Sequence, residues 1–188
     1  MLPRILIVLS LLAGAPRLFA QASATASRAG DLLIGAGYTS ADSDYGSRFT
    51  GFAIYGDFDF TRHFGIEGSF HKVSQGSGST LYEKTYEIGG RYFRTYGPLI
   101  PYVKIMAGRG VFNYPPYPPP SPQDQASANL AYNLFAGGLG ADIKVRRWLY
   151  IRGDFEYQKW PGFKGTVDGP TNGLTPELFT FGAAYHFR

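Results

Sequence analysis

Apolar and polar residues alternate along most of this chain with a period of two, the repeat of a β-strand that has one apolar and one polar face. The alternation is clearest in residues 179–187, where every second residue is apolar and the residues between them are Thr, Gly, Ala and His. It is almost as regular in residues 50–60 and 149–159. Beyond residue 30, no stretch shows a convincing helical repeat. The pattern therefore predicts an all-β protein.

Eight alternating segments follow one another, separated by polar, Gly-rich or Pro-rich breaks. The predicted strands cover residues 31–39, 50–60, 64–73, 81–94, 100–112, 130–145, 149–159 and 179–188. Most are close to the ~9–11 residues that a tilted membrane-spanning strand needs. In the Gly-rich sixth strand the facing is ambiguous, and we favour Phe135, Leu139 and Ile143 outward with Asp142 inward. Arg109 interrupts the outward face of the fifth strand, so it either snorkels at an interface or marks a shift in register.

The connections between these strands alternate between long and short. Long ones begin at Ser40, Ser74, Asn113 and Pro161, and short ones centre on Arg62, Gly97 and Arg146. This asymmetry is typical of outer-membrane barrels, in which periplasmic turns are short and extracellular loops are long. A soluble barrel would point its apolar faces inward. The predicted fold is thus an eight-stranded antiparallel up-and-down transmembrane β-barrel with both termini on the periplasmic side.

The N-terminal residues predict export. Arg4 precedes an apolar run over residues 5–13, and small residues follow around 20–22. This combination is typical of a secretory signal peptide, and the run is shorter than the ~20 apolar residues of a membrane-spanning helix. A buried N-terminal helix is the weaker alternative. We predict a signal peptide over residues 1–22, cleaved after Ala20 or Ala22, and a barrel domain over residues 23–188.

Composition narrows the possible chemistry. The chain contains no Cys, which excludes disulfides and thiol chemistry. Its 14 Tyr and 15 Phe suit the aromatic girdles of a membrane barrel, and its 25 Gly suit a narrow interior with many small inward positions. The formal net charge is +4, of which Arg4 and Arg17 of the predicted signal peptide supply two. The remainder is too small to predict a nucleic-acid partner.

Charged residues recur at inward positions of the predicted strands. They are Asp57, Glu67, Glu87, Arg91, Lys104, Arg152, Asp154 and Glu156. Each would be costly to bury alone, whereas opposite charges inside a narrow barrel can satisfy one another. An eight-stranded barrel is only just wide enough for its own side chains, so we predict a charge-paired, closed interior. The alternative is a gated narrow porin for ions or small solutes.

The sequence offers little for catalysis or for cofactors. Ser69 and His71 share an inward face, but Glu67 is ~13 Å along the strand from His71 and too far away to orient it. No spacing of His, Asp and Glu recurs as a metal-ligand set, and the glycines at 137, 138 and 140 lie in mid-strand. We therefore predict no enzyme activity, no metal and no cofactor. A lipid-modifying enzyme is the third hypothesis, after the closed barrel and the porin.

Three segments resemble the small outer-membrane barrel family typified by the OmpA transmembrane domain, OmpX and the opacity-type porins. They are residues 135–142, 151–157 and 181–187. The resemblance implies a Gram-negative outer membrane, contact with its lipid, and loops used for adhesion, shielding or binding. It also implies that the barrel-assembly machinery reads the last strand, with Phe179, Phe181, Tyr185 and Phe187 as the signal. In this chain Phe187 is penultimate and Arg188 follows it.

An extracellular ligand would reach the protein through its loops. The longest predicted loop, residues 113–127, contains six prolines, which cannot donate to a strand ladder. It is therefore the candidate surface for binding. We expect the barrel to act as a monomer with a structural or surface-interaction role.

Overall fold

Eight antiparallel strands close into one barrel, in which each strand pairs with its sequence neighbours and β1 pairs with β8. The computed structural model describes residues 30–44, 48–76, 79, 81–114, 128–163 and 173–187, and the predicted signal peptide lies outside these ranges. The strands are β1 (Asp31–Asp42), β2 (Phe49–Asp59), β3 (Phe64–Ser74), β4 (Tyr82–Phe93), β5 (Leu99–Tyr114), β6 (Ala128–Lys144), β7 (Leu149–Lys159) and β8 (Glu177–Phe187). The all-β, up-and-down barrel predicted from the alternation is confirmed.

The two faces of this barrel are reversed relative to those of a water-soluble protein. Large apolar side chains lie on the outside, with Ile105 75% exposed and Phe181 69% exposed. Charged side chains lie on the inside, and Asp57 and Glu156 are fully buried. An apolar outer face is what the lipid-exposed surface of a membrane barrel requires. Among the described residues, no helix is long and apolar enough to cross a bilayer.

Aromatic rings on the outer face pack in pairs near both edges of the barrel. Near one edge, Phe70 packs with Tyr86 at a centroid distance of 5.0 Å and with Phe52 at 5.9 Å. Near the other edge, Tyr185 packs with Phe187 at 4.8 Å and with Trp148 at 6.1 Å. Aromatic girdles on either side of an apolar band are a feature of membrane barrels.

The strands β1, β5 and β6 are longer than the alternation predicts. β1 continues to Asp42 because Ala41 pairs with Phe49 on one side and with Leu178 on the other. β5 and β6 continue until Tyr114 pairs with Ala128. The prediction assigned the end of β1 to a polar loop and the end of β5 to the Pro-rich loop. Most of the predicted Pro-rich loop, residues 115–127, lies outside the described ranges.

The register of β5 is continuous through Arg109, which pairs with Tyr86 on β4 and with Asn133 on β6. Its side chain is exposed and donates a hydrogen bond from Nη1 to Asn133 Oδ1 at 3.2 Å. A register shift at this residue is therefore wrong. The outward Arg109 is an exception to the apolar outer face.

The connections give the barrel two unlike ends. Residues 60–63, 94–98 and 145–148 form short turns at one end, where β1 begins and β8 finishes. Longer connections join the strands at the other end, and we call these the short-turn end and the long-loop end. In the β7–β8 connection, Trp160 and Leu174 still pair, with Trp160 N donating to Leu174 O at 2.8 Å. This pairing holds part of the loop over the mouth of the barrel.

Candidate functional site in the barrel interior

All eight charged residues singled out in the sequence lie inside the barrel and are buried. Arg152 is at the centre of those nearest the short-turn end. Its Nη2 lies 2.5 Å from Asp57 Oδ2, its Nη1 lies 3.1 Å from Glu67 Oε2, and its Nε lies 2.7 Å from Asp142 Oδ1. One guanidinium thus binds carboxylates from three other strands, using the planar, many-donor geometry that lysine lacks.

Asp142 belongs to this cluster, although the sequence prediction did not include it. Besides Arg152, it pairs with Arg91, whose Nη2 lies 3.1 Å from Asp142 Oδ2. Arg91 also forms an ion pair with Asp57. The two arginines therefore share the carboxylates of Asp57 and Asp142, so that each of these four buried groups has partners of opposite charge. The inward position of Asp142 on β6 was the available signal, but the ambiguous facing of that Gly-rich strand concealed it.

Lys104 organises a second group of charges, one step closer to the long-loop end. Its Nζ lies 2.8 Å from Glu67 Oε1, 2.9 Å from Asp154 Oδ2 and 3.0 Å from Glu156 Oε2. Glu67 contacts both Lys104 and Arg152, so it links this group to the group around Arg152. The ion pairs around Arg152 and Lys104 form one continuous network rather than separate bridges, and we call it the ion-pair network.

Two tyrosines that the sequence prediction did not assign to the site complete the network. The Arg152 guanidinium lies 4.2 Å from the ring centroid of Tyr55 and 4.8 Å from that of Tyr102. Tyr102 also donates a hydrogen bond to Asp154 Oδ1 at 2.5 Å. Stacked rings cover the faces of the cation while its edges bind carboxylates. Tyrosine at an inward position facing charged neighbours was the sequence signal for this role.

A third polar group surrounds His71. His71 Nδ1 lies 3.2 Å from Thr85 Oγ1 and 3.4 Å from Glu87 Oε1. Gln158 Nε2 donates to Glu87 Oε1 at 2.9 Å and to Glu156 Oε1 at 2.8 Å, and Gln158 Oε1 accepts from Trp160 Nε1 at 2.9 Å. Gln158 thus links Glu87, Glu156 and Trp160 in one hydrogen-bonded chain.

The catalytic pair considered from the sequence is not formed. Within the described ranges, Ser69 Oγ has no hydrogen-bond partner. His71 instead faces Thr85 and Glu87 on the neighbouring strand. A serine nucleophile needs its base within hydrogen-bond reach. Glu87, not Glu67, has a carboxylate oxygen 3.4 Å from His71 Nδ1, because cross-strand neighbours are closer than residues four apart on one strand.

Closer to the long-loop end, the interior contains an apolar cluster that the sequence prediction did not anticipate, and the buried Glu83 lies beside it. Its buried members are Ala41, Phe49, Val73, Leu81, Met106, Phe112, Leu134, Ala136, Trp160, Phe163, Leu174 and Leu178. Trp160 lies at its base, and its ring packs directly over Gly110, where any side chain would collide with it. We call this set the apolar plug. Within the described ranges, its side chains come from the strands, from Leu81 and from the β7–β8 connection.

The polar groups leave little empty space, whereas the short-turn end is open. A cavity of about 10 Å³ lies among Tyr55, Ser69, His71 and Lys104, which is room for about one water molecule. At the short-turn end, a vestibule of about 540 Å³ is lined by residues including Asp59, His63 and His186, with Arg91 and Asp142 among them. The vestibule therefore ends at the ion-pair network.

The last strand presents its aromatic residues outward. Phe179, Phe181, Tyr185 and Phe187 are between 45% and 69% exposed. Phe179 packs against Phe155 of β7 with ring centroids 4.7 Å apart. Their role as an assembly signal remains a prediction.

The fold and the reversed arrangement of apolar and charged residues define a small eight-stranded barrel of the outer-membrane type. Similar solved structures include Ail, the attachment invasion locus protein of Yersinia pestis, with a TM-score of 0.57 and 20% identity over 84% of this chain and 99% of Ail. Neisserial surface protein A aligns with a TM-score of 0.58 and 13% identity over 85% of this chain and 97% of that protein.

OprG, an outer-membrane protein of Pseudomonas aeruginosa, aligns with a TM-score of 0.56 and 17% identity, over 85% of this chain and 97% of OprG. The sequence matches no protein-family model and no curated protein. The resemblance to small outer-membrane barrels thus holds at the level of the fold.

Proposed function

We propose that this chain is an integral outer-membrane protein with a closed interior, and that it acts through its extracellular loops as a structural or surface-interaction protein. The observation that carries the proposal is the filling of the lumen by two successive layers, the ion-pair network and the apolar plug. Small barrels fill with their own side chains by default. A channel would need a continuous polar path, and the apolar plug interrupts it.

The outer face supports the membrane location. Its exposed apolar residues form a band between two sets of paired aromatic rings, and a soluble protein would not expose so large an apolar surface. The fold shared with Ail, Neisserial surface protein A and OprG supports the same location. In this proposal, the short-turn end faces the periplasm and the long-loop end faces outward.

The closed interior predicts the electrical behaviour of the protein. We expect refolded protein in planar bilayers to show no stable open state, because both layers of the lumen are packed. Single-channel recording tests this directly. A stable, ion-selective open state that Arg152→Ala enlarges would contradict the proposal and favour the narrow porin.

The long β5–β6 hairpin is the part of the barrel best suited to present a loop. β5 has 16 residues and β6 has 17, more than any other strand, and their pairing continues to Tyr114 and Ala128. The Pro-rich residues 115–127 follow at its tip. Loops presented by a rigid scaffold commonly carry binding residues.

Replacing residues 115–127 by a two-residue Asn-Gly turn tests the role of this loop. We expect the variant to fold, because Tyr114 and Ala128 already lie opposite each other and Asn-Gly favours a tight hairpin. Boiled and unboiled samples on a gel report folding of the barrel. Bacteria displaying the intact barrel should adhere to cultured epithelial cells more than bacteria displaying the variant. The control replaces residues 164–172 of the β7–β8 connection by the same Asn-Gly turn. A binding role for the 115–127 loop would be contradicted if bacteria displaying the intact barrel and bacteria displaying the 115–127 variant adhered equally.

A further inference from the structure

We propose that His71, Glu87 and Glu156 form a binding site for a divalent transition-metal ion inside the barrel. The three residues come from β3, β4 and β7, and one donor atom from each lies within 4.8 Å of the other two. All three side chains are buried. The donor set is one imidazole nitrogen and two carboxylate oxygens.

The distances suit a metal ion with a small coordination shell. Zinc binds His nitrogen and carboxylate oxygen at about 2.0–2.2 Å, which places two ligand atoms of a tetrahedron about 3.4 Å apart. His71 Nδ1 and Glu87 Oε1 are 3.4 Å apart. Glu156 completes the triangle with an oxygen within 4.8 Å of both atoms. A water molecule or the nearby Thr85 hydroxyl would supply a fourth ligand.

Gln158 holds the two carboxylates in place. Its Nε2 donates to Glu87 Oε1 and to Glu156 Oε1, and its own Oε1 is fixed by Trp160 Nε1. Gln158 and Trp160 are fully buried. Hydrogen bonds from a second layer of residues to the ligands are what orients a metal site and keeps it assembled.

The buried carboxylates around the cluster favour the binding of a cation. Glu87 Oε2 is buried and has no hydrogen-bond partner among the described residues. Lys104 Nζ lies 3.0 Å from Glu156 Oε2, but it also forms ion pairs with Glu67 and Asp154. Within the described ranges, the buried acids Asp57, Glu67, Glu83, Glu87, Asp142, Asp154 and Glu156 outnumber the buried Arg91, Lys104 and Arg152. A divalent ion would give Glu87 a metal partner, which lowers the cost of burying its carboxylate.

The donor set also restricts which ion can bind. Calcium and magnesium prefer shells made of oxygen, with six or more ligands for calcium, whereas an imidazole with two carboxylates suits zinc or a neighbouring transition metal. The site shares Glu156 with the ion-pair network and is linked through Gln158 to Trp160 of the apolar plug. The ion would therefore enter as the barrel folds and then be retained.

Refolding the protein into detergent with zinc chloride tests the proposal. After a chelator and gel filtration have removed exposed metal, we expect one zinc ion per barrel by mass spectrometry of the eluted metal. His71→Asn and Glu87→Gln should each lose it. Glu83→Gln should keep it, because Glu83 is another buried carboxylate of β4 but lies outside the cluster.

Folding of each variant is checked by its heat-modifiable migration on a gel. If a variant does not fold, refolding the unaltered protein with cobalt chloride gives an independent measurement, since the visible absorption of bound cobalt reports nitrogen and oxygen coordination. Absence of retained zinc and of a cobalt spectrum would overturn the proposal. Equal zinc retention by folded His71→Asn would also overturn it, because the metal would then be bound elsewhere.

Discussion

Replacing Arg152 by methionine is expected to lower the free energy of unfolding by about 3–5 kcal/mol, the usual cost of removing one partner from a buried ion pair. Methionine fills much of the same space but leaves Asp57, Glu67 and Asp142 without the cation that lies 2.5–3.1 Å from them. Arg91 still neutralises part of this charge. Urea titration of the refolded protein in detergent measures the change through the fraction that migrates as the folded form.

The control for Arg152→Met is Arg109→Met. Arg109 lies on the outer face, and its side chain donates a hydrogen bond to Asn133. An exposed polar contact of this kind contributes about 1 kcal/mol or less. A second measurement uses Asp142→Asn in the Arg152→Met background, which should recover stability because it removes one of the stranded charges. Equal losses for Arg152→Met and Arg109→Met would contradict a central role for Arg152.

The second large effect is expected at Trp160. Trp160→Ala should cost about 3–5 kcal/mol, since it removes a fully buried aromatic side chain from the base of the apolar plug and leaves a cavity. It also frees Gln158 Oε1, and so loosens the hydrogen bonds that Gln158 makes to Glu87 and Glu156. The same urea titration measures the loss.

The chain offers a matched control, because it contains only two tryptophans. Trp148 is 49% exposed on the outer face, where it packs against Tyr185. Trp148→Ala should therefore cost far less than Trp160→Ala. Trp160→Phe separates the two contributions, since it keeps most of the ring packing and loses about 1 kcal/mol with the hydrogen bond to Gln158. Equal losses for the two alanine variants would show that the apolar plug contributes little.

The alternation alone was enough to predict the barrel because each strand has one face in an apolar environment and one in a polar interior. For β7 the predicted bounds, 149–159, are those of the structure. Inward positions such as Asp57, Lys104 and Arg152 followed from the same two-residue period. These features depend on neighbours along one strand, and a single sequence contains that information.

The apolar plug could not be predicted in the same way. Ala41, Phe163 and Leu174 lie in segments whose small, Gly-rich or Pro-rich surroundings resemble loops. Phe163 and Leu174 are buried because the described ends of the β7–β8 connection pack against the strands, and Ala41 is buried because β1 continues into the same cluster. The group of His71, Glu87 and Glu156 was missed for a related reason. β4 and β7 are not neighbours in the sheet, so their side chains meet only across the interior.

The ladder between β1 and β8 has a consequence for the order of assembly. It joins Leu32 to Phe187 and runs to the pair of Asp42 and Glu177, so the backbone groups on one edge of β1 find their partners only when the last strand docks. Until then the nascent sheet has two open edges, each able to pair with another chain. Closing a loop of this length is also entropically slow. A longer-lived unclosed sheet therefore gives the protein more time to aggregate before the barrel closes.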